Sequence, residues 1–153
     1  MKDAIQYTIA GAEKDHRYLQ QLKQLAAQHE ITLHFQLNPS DSELSKDYAL
    51  ADLFTLTSVP YKHSVEGFGL VYLEAGAHEL PCLAYDIGGV KDAVRQNDTG
   101  ILIPPGDTDA LAQAIEFLFK NPADRIRLGK NNYQHATTRT WHDVVRETLI
   151  STR

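Results

Sequence analysis

At 153 residues, with 42% apolar and 23% charged side chains, the chain has the balance of one globular domain able to bury a core, not that of a disordered tail. A formal charge of −5 supplies no basic stripe for a nucleic-acid backbone or an anionic membrane surface. No stretch approaches the roughly 18 apolar residues of a spanning helix, so a soluble cytoplasmic domain is expected.

Apolar runs that suit buried strands recur at Ile5 to Ala10, Ile31 to Leu37, Leu53 to Thr57, Cys82 to Tyr85 and Gly100 to Ile103. The first helix, about Glu13 to Gln28, sets Tyr18, Leu19, Leu22, Leu25 and Ala26 on one face. Ser40 with Glu43 reads as a capping box opening a short helix before the third strand. Leu70 to Glu79 is the next expected helix, and Gly88 and Gly89 begin another after the fourth strand.

Beyond PPGD, a helix carries Leu111, Ala114, Ile115 and Leu118; Pro122 suits the first turn of the one after it. Thr140 with Asp143 caps a last helix bearing Trp141, Val144, Val145 and Leu149. Alternating strands and helices with short joints imply an α/β, doubly wound fold: an open parallel sheet with helices on both faces. Such sheets bind ligands outside the carboxyl ends of their strands. The loops at Gly11, Leu37 to Pro39, Ser58 to Gly69 and Asp86 to Gly89 should therefore share one edge.

Cys82 is the only cysteine and lies in the apolar run PCLAY, which reads as a buried structural thiol in a reducing compartment. The seven histidines form no zinc-binding pattern. Asp107, Thr108 and Asp109 spell DxD, but they follow PPG and open a helix, so capping is the better reading and no metal is expected. No GxGxxG follows the first strand, which disfavours a nicotinamide site.

The segment SVEGFGLVYLEAG carries the chemistry. Gly67 and Gly69 permit a tight turn and close backbone approach, and a helix beginning near Gly69 leaves its first amides unpaired. Those of Gly69, Leu70 and Val71 suit a phosphate, through free N–H donors and the helix dipole. Glu66 and Glu74 would repel a diphosphate; a carboxylate with two acceptor oxygens instead suits paired sugar hydroxyls. A hexose at one end and a ribose at the other, joined by a diphosphate, describes a nucleotide sugar. Taken singly, Glu66 is also explained as a helix-start carboxylate and Glu74 as a solvated helix residue. The GG pair at Gly88 and Gly89 suits either a structural turn or an approach to the donor.

EGFGLVYLEAGAHELPCLAYDIGGVKDAV followed by NDTGILIPPGD resembles the donor-binding, C-terminal half of family-4 retaining glycosyltransferases of the GT-B fold. The likeness runs from about Ile5 to Ile150, and Glu66 and Glu74 match that family's paired glutamates. It implies a Rossmann-like domain binding a nucleoside-diphosphate sugar as substrate. Glu66 would accept from donor hexose hydroxyls and act at the catalytic end, and Glu74 would accept from the ribose. Gly67, Phe68, Gly69, Leu70 and Val71 would line the donor sugar and phosphates, with Phe68 packing as a loop anchor. The base would lie near Leu37 to Pro39, with no contact assigned.

The resemblance further implies hexose transfer to a hydroxyl acceptor with retention, without a metal or other cofactor, in a pathway such as polysaccharide biosynthesis. The enzyme would be cytoplasmic or peripheral at the inner membrane face. Two departures are local: HEL at His78 to Leu80 replaces a helix-ending glycine, and Lys91 with Asp92 replaces a Pro-Glu pair. A larger one is the absence of the usual first strand and helix, whose Arg and Lys clasp the diphosphate, and of the acceptor domain before them. In the family's strand order, 3-2-1-4-5-6, the absent strand lies between two that are present. A fragment needing the N-terminal acceptor domain or a partner chain is therefore expected, inactive alone and open to self-association through an incomplete sheet. Lys62, His63, Lys91 and Arg95 would compensate only in part. Alternatives are a non-catalytic nucleotide-sugar-binding or interaction module and, less favoured, a nucleotide-sugar epimerase.

Overall fold

The computed structural model describes residues 5–59 and 67–138. The chain divides into two compact units, Met1–Leu50 and Ala51–Arg153. The first contains β1 (Gln6–Gly11), α1 (His16–Gln28), β2 (Thr32–Leu37) and α2 (Asp41–Leu50). Its strands pair in parallel, from Gln6 opposite Thr32 to Gly11 opposite Leu37.

Caps determine where these helices begin. Asp15 accepts from the amides of Arg17 at 2.9 Å and Tyr18 at 3.3 Å, so α1 starts just after it and not at the expected Glu13. The capping box at Ser40 forms reciprocally. The Ser40 amide donates to the Glu43 carboxylate at 2.9 Å, and the Glu43 amide donates to Ser40 Oγ at 3.4 Å. The Ser40 hydroxyl and amide hold the Glu43 carboxyl below its ordinary pKa. Among the described apolar residues of this unit, Leu19 and Tyr48 are buried.

The second unit holds β3 (Phe54–Leu56), α3 (Leu70–Ala77), β4 (Cys82–Tyr85), α4 (Val90–Ala93), β5 (Gly100–Ile103), α5 (Thr108–Lys120) and α6 (Pro122–Thr138). Its parallel sheet runs β3-β4-β5, with Phe54 opposite Cys82 and Cys82 opposite Gly100. The central strand is buried along its whole length, as a parallel strand covered on both faces must be. Hydrogen bonding thus produces two parallel sheets, the groupings that the order 3-2-1-4-5-6 leaves when its first strand is absent. Among the described residues, β1 and β3 each have a single strand neighbour. The expected helix after Thr140 lies outside the described residues.

Helix α6 packs along α3. At that contact the Asn132 side chain sits over Gly76, where an added Cβ would come within 2.9 Å of it. Asn132 Nδ2 donates to the Leu80 carbonyl at 2.7 Å and approaches the Tyr72 carbonyl at 3.5 Å and Cys82 Sγ at 3.3 Å. These bonds give the buried Nδ2 its partners, while Oδ1 has none among the described residues, and they fasten α6 to the first turn of α3 and to the turn that follows the helix. Cys82 is fully buried, as a structural thiol should be, and burial pushes its pKa up to about 12 although the Asn132 contact pulls the other way.

Helix α3 stops at Ala77, two residues before the expected end. The amides of His78 and Leu80 both donate to the Ala75 carbonyl, and that of Glu79 to Gly76, closing the helix in a Schellman-type turn. Glu79 takes the left-handed conformation at φ 58°, the position where relatives were expected to carry glycine. Helix α5 starts as expected: Asp107 Oδ1 accepts from the Ala110 amide at 2.8 Å, so the first DxD carboxylate is a cap.

Candidate functional site: the start of α3

The residues ahead of α3 are graded in exposure, with Gly67 open, Phe68 half-buried and Gly69 buried. Gly69 is the N-cap, at φ 78° and ψ 67°, a left-handed conformation that a side chain would strain. It has no side chain to bond the helix amides, so the first-turn donors are not capped from within. The Tyr72 amide turns back to the Gly69 carbonyl at 3.0 Å. The amides of Leu70 and Val71 precede it, at the positions where a helix offers N–H groups to an anion.

Burial sorts the faces of this short helix. Tyr72, Ala75 and Gly76 turn inward, whereas Leu70 and Glu74 are exposed and, four residues apart, lie one above the other. Glu74 therefore stands one turn beyond the Leu70 and Val71 amides. Glu66 lies outside the described residues.

The loop after β4 reaches the same place. An added Cβ at Gly89 would overlap the Gly67 carbonyl oxygen and lie 3.0 Å from its carbon, with the Phe68 Cα next at 3.6 Å. Only a residue without a side chain lets the two turns meet, so the GG pair is at least a structural contact between the loops following β3 and β4. In the first unit, the ends of β1 and β2 are likewise joined, by the Asn38 amide donating to the Gly11 carbonyl at 2.8 Å. Of the nearby cations, Lys91 is exposed on α4, and Arg95 pairs loosely with Asp98 at 3.9 Å.

Two side chains not singled out from sequence shape this site. Tyr72 is 0% exposed and its hydroxyl donates to the Leu56 carbonyl at the end of β3, at 2.9 Å. Phe54 meets its ring edge-on, with centroids 5.7 Å apart. Asn132 holds the far side of the same helix. The available signal was a phenol inside an otherwise aliphatic turn, since a buried Tyr hydroxyl needs an acceptor.

The α/β arrangement matches the C-terminal Rossmann-like domain of GT-B proteins. HepE of Anabaena, solved in complex with UDP-glucose, superposes with a TM-score of 0.79 over 96% of this chain and 40% of that one, at 22% identity. TarM gives a TM-score of 0.76 over 97% of this chain and 28% of that one, at 20% identity. Residues 1–135 match the family described as glycosyl transferases group 1, and the chain belongs to that family.

Among curated relatives, a D-inositol 3-phosphate glycosyltransferase of Corynebacterium glutamicum is 36% identical over 100 residues, 65% of this chain and 23% of that protein. A GDP-mannose-dependent alpha-(1-6)-phosphatidylinositol monomannoside mannosyltransferase of Mycobacterium tuberculosis is 31% identical over 116 residues, 73% of this chain and 30% of that protein. The chain thus spans between about a quarter and a third of the length of these relatives. Among the described residues, no helix is long and apolar enough to cross a membrane.

Proposed function

We propose that these 153 residues form the donor-binding half of a family-4-like retaining glycosyltransferase, taking a hexose from a nucleoside-diphosphate sugar to a hydroxyl acceptor. The observation that carries this reading is the start of α3: a glycine cap with no side-chain bond, first-turn amides at Leu70 and Val71 that have no acceptor within the helix, and Glu74 exposed one turn on. In this reading the diphosphate lies against the amides and Glu74 takes the ribose hydroxyls. Glu66 orients the hexose at the catalytic end, with Gly67 and Phe68 beside it. As the glycosidic bond breaks, negative charge grows on the departing diphosphate, and donors already in place stabilise it without reorganising.

The similar proteins support a nucleotide-sugar donor, since the mycobacterial mannosyltransferase is GDP-mannose-dependent and HepE was solved with UDP-glucose. No metal is assigned to the reaction, because Asp107 of the DxD pattern is spent on capping α5. Acceptor binding falls to another domain or chain, and the isolated domain binds donor without turnover.

The test is ligand-observed NMR of the purified chain with UDP, GDP and ADP and their glucose or mannose conjugates. At least one nucleotide should respond, and Glu74→Ala should abolish that response. Silence from all three nucleotides would end the donor-site reading for this chain. Glu66→Ala should weaken the sugar conjugates more than the free nucleotides, and equal losses would remove its assigned contact.

A further inference from the structure

We propose that the Tyr72 hydroxyl is the positioning group that holds the start of α3 in register with the end of β3, and so sets where the Leu70 and Val71 amides meet a diphosphate. The inference rests on the donor-site reading for its ligand, but its geometry stands apart from it. Helix α3 has only eight residues, and its Gly69 cap contributes no side-chain bond to hold the helix start. A side-chain restraint is available in the first turn, where Tyr72 is the buried residue.

Its hydroxyl crosses to the main-chain carbonyl of Leu56, sixteen residues earlier, at 2.9 Å. That bond joins the last residue of β3 to the third residue of α3, the two ends of the connection that carries the GFG turn. Phe54, two residues back along the strand, fixes the ring from its edge at an interplanar angle of 81°. On the far side, contacts to the Tyr72 carbonyl are longer, 3.8 Å from the Cys82 thiol and 3.5 Å from Asn132 Nδ2. They are weaker restraints than the hydroxyl bond. An aliphatic side chain at position 72 would fill the space and leave the helix free to shift along the strand end. A shift of part of an ångström is enough to misalign donors that act only through preorganised geometry.

The deciding variant is Tyr72→Phe, which keeps the ring and its contact with Phe54 and removes one oxygen. Thr99→Val is the matched control: Thr99 is 1% exposed and its Oγ1 accepts from the Arg95 amide at 2.8 Å, in the same unit and away from α3. Two readouts are taken on the full chain: amide hydrogen exchange at Tyr72 and Glu74 relative to Leu83, and the affinity for UDP. Tyr72→Phe should speed exchange in the first turn of α3 roughly three- to tenfold relative to Leu83, and weaken UDP by a similar factor. Thr99→Val should leave both ratios at wild type even where it lowers the unfolding midpoint equally.

Unchanged relative exchange in Tyr72→Phe, or the same loosening in Thr99→Val, would overturn the positioning role. So would loosened exchange with an unaltered UDP affinity. If the wild-type chain itself ignores UDP, GDP and ADP, the donor-site reading fails instead, and the exchange comparison alone decides whether Tyr72 sets the helix start.

Discussion

Strands β1 and β4 make the most instructive contrast in this molecule. Both come from short apolar runs and both lie in parallel sheets, yet β4 is buried at all four positions, whereas β1 is exposed at five of six and half-buried only at Ile9. The difference is in their neighbours. β4 lies between β3 and β5 and under α3, while among the described residues β1 has β2 on one edge only. Burial of a parallel strand is conferred by what flanks it. The second unit therefore carries most of the described core, and the first buries little beyond Leu19 and Tyr48.

The sharpest way to break this contrast is a pair of matched truncations. Leu83→Ala, at a position with 0% exposure, should cost about 2–5 kcal/mol, whereas Ile9→Ala should cost under about 1 kcal/mol. Urea unfolding followed by circular dichroism measures both, and equal losses would mean that β1 is as well covered as β4.

Cys82 reports on the buried side alone. At pH 8 its alkylation by iodoacetamide should proceed only as fast as the second unit opens, and denaturant should accelerate it steeply. Its folded pKa is raised to about 12, so between the ordinary thiol value near 9.0 and about 12 the unfolded chain binds fewer protons than the folded one. Its contribution is fully present below the lower value and is lost as pH rises through that window. Cys82→Ser should flatten the alkaline limb, and a limb of unchanged slope would contradict this assignment.

A smaller effect of opposite sign is expected at Glu79. Glycine there should stabilise the second unit by about 1 kcal/mol, because it relieves a left-handed residue at the end of α3. A neutral or destabilising result in thermal unfolding would mean that the Glu79 side chain contributes something the backbone argument omits.

The smallest change belongs to the first unit. The Glu43 carboxyl is held below its ordinary value by Ser40, so its contribution is present above the unfolded value and is lost as pH falls through the folded one. Ser40→Ala removes the hydroxyl donor and keeps the amide, so it should shrink that acid limb in the melting of α2 and leave neutral-pH exchange in β4 untouched.

How far the sequence was legible follows the same divide. CLAY and GILI have the bounds expected of them, because Pro81 and the PPG after Ile103 punctuate the runs on either side. The start of α3 could be read from GFG, since a left-handed N-cap requires a residue such as Gly69. Its end could not, because Glu79 gives no local hint of a positive φ. The split into two sheets could be read from no single run, since strand pairing depends on which segments are brought together; it followed from the family strand order, in which the missing strand separates two that are present. Glu74 and the amides of Leu70 and Val71 have a described place, while Tyr72 was passed over because its acceptor is a main-chain carbonyl, which no residue type reveals.

The seating of Asn132 on Gly76 makes two distant positions a single choice. A methyl at 76 would need the volume now filled by the amide of 132, and it would also meet Ala136 at 3.0 Å. Each change alone should be costly: Gly76→Ala by collision, Asn132→Ala by stranding the Leu80 carbonyl. Together they should cost less than their sum, because the second substitution vacates room for the first. Homologues of this domain that carry alanine at the first position are therefore expected to carry a side chain shorter than Asn at the second.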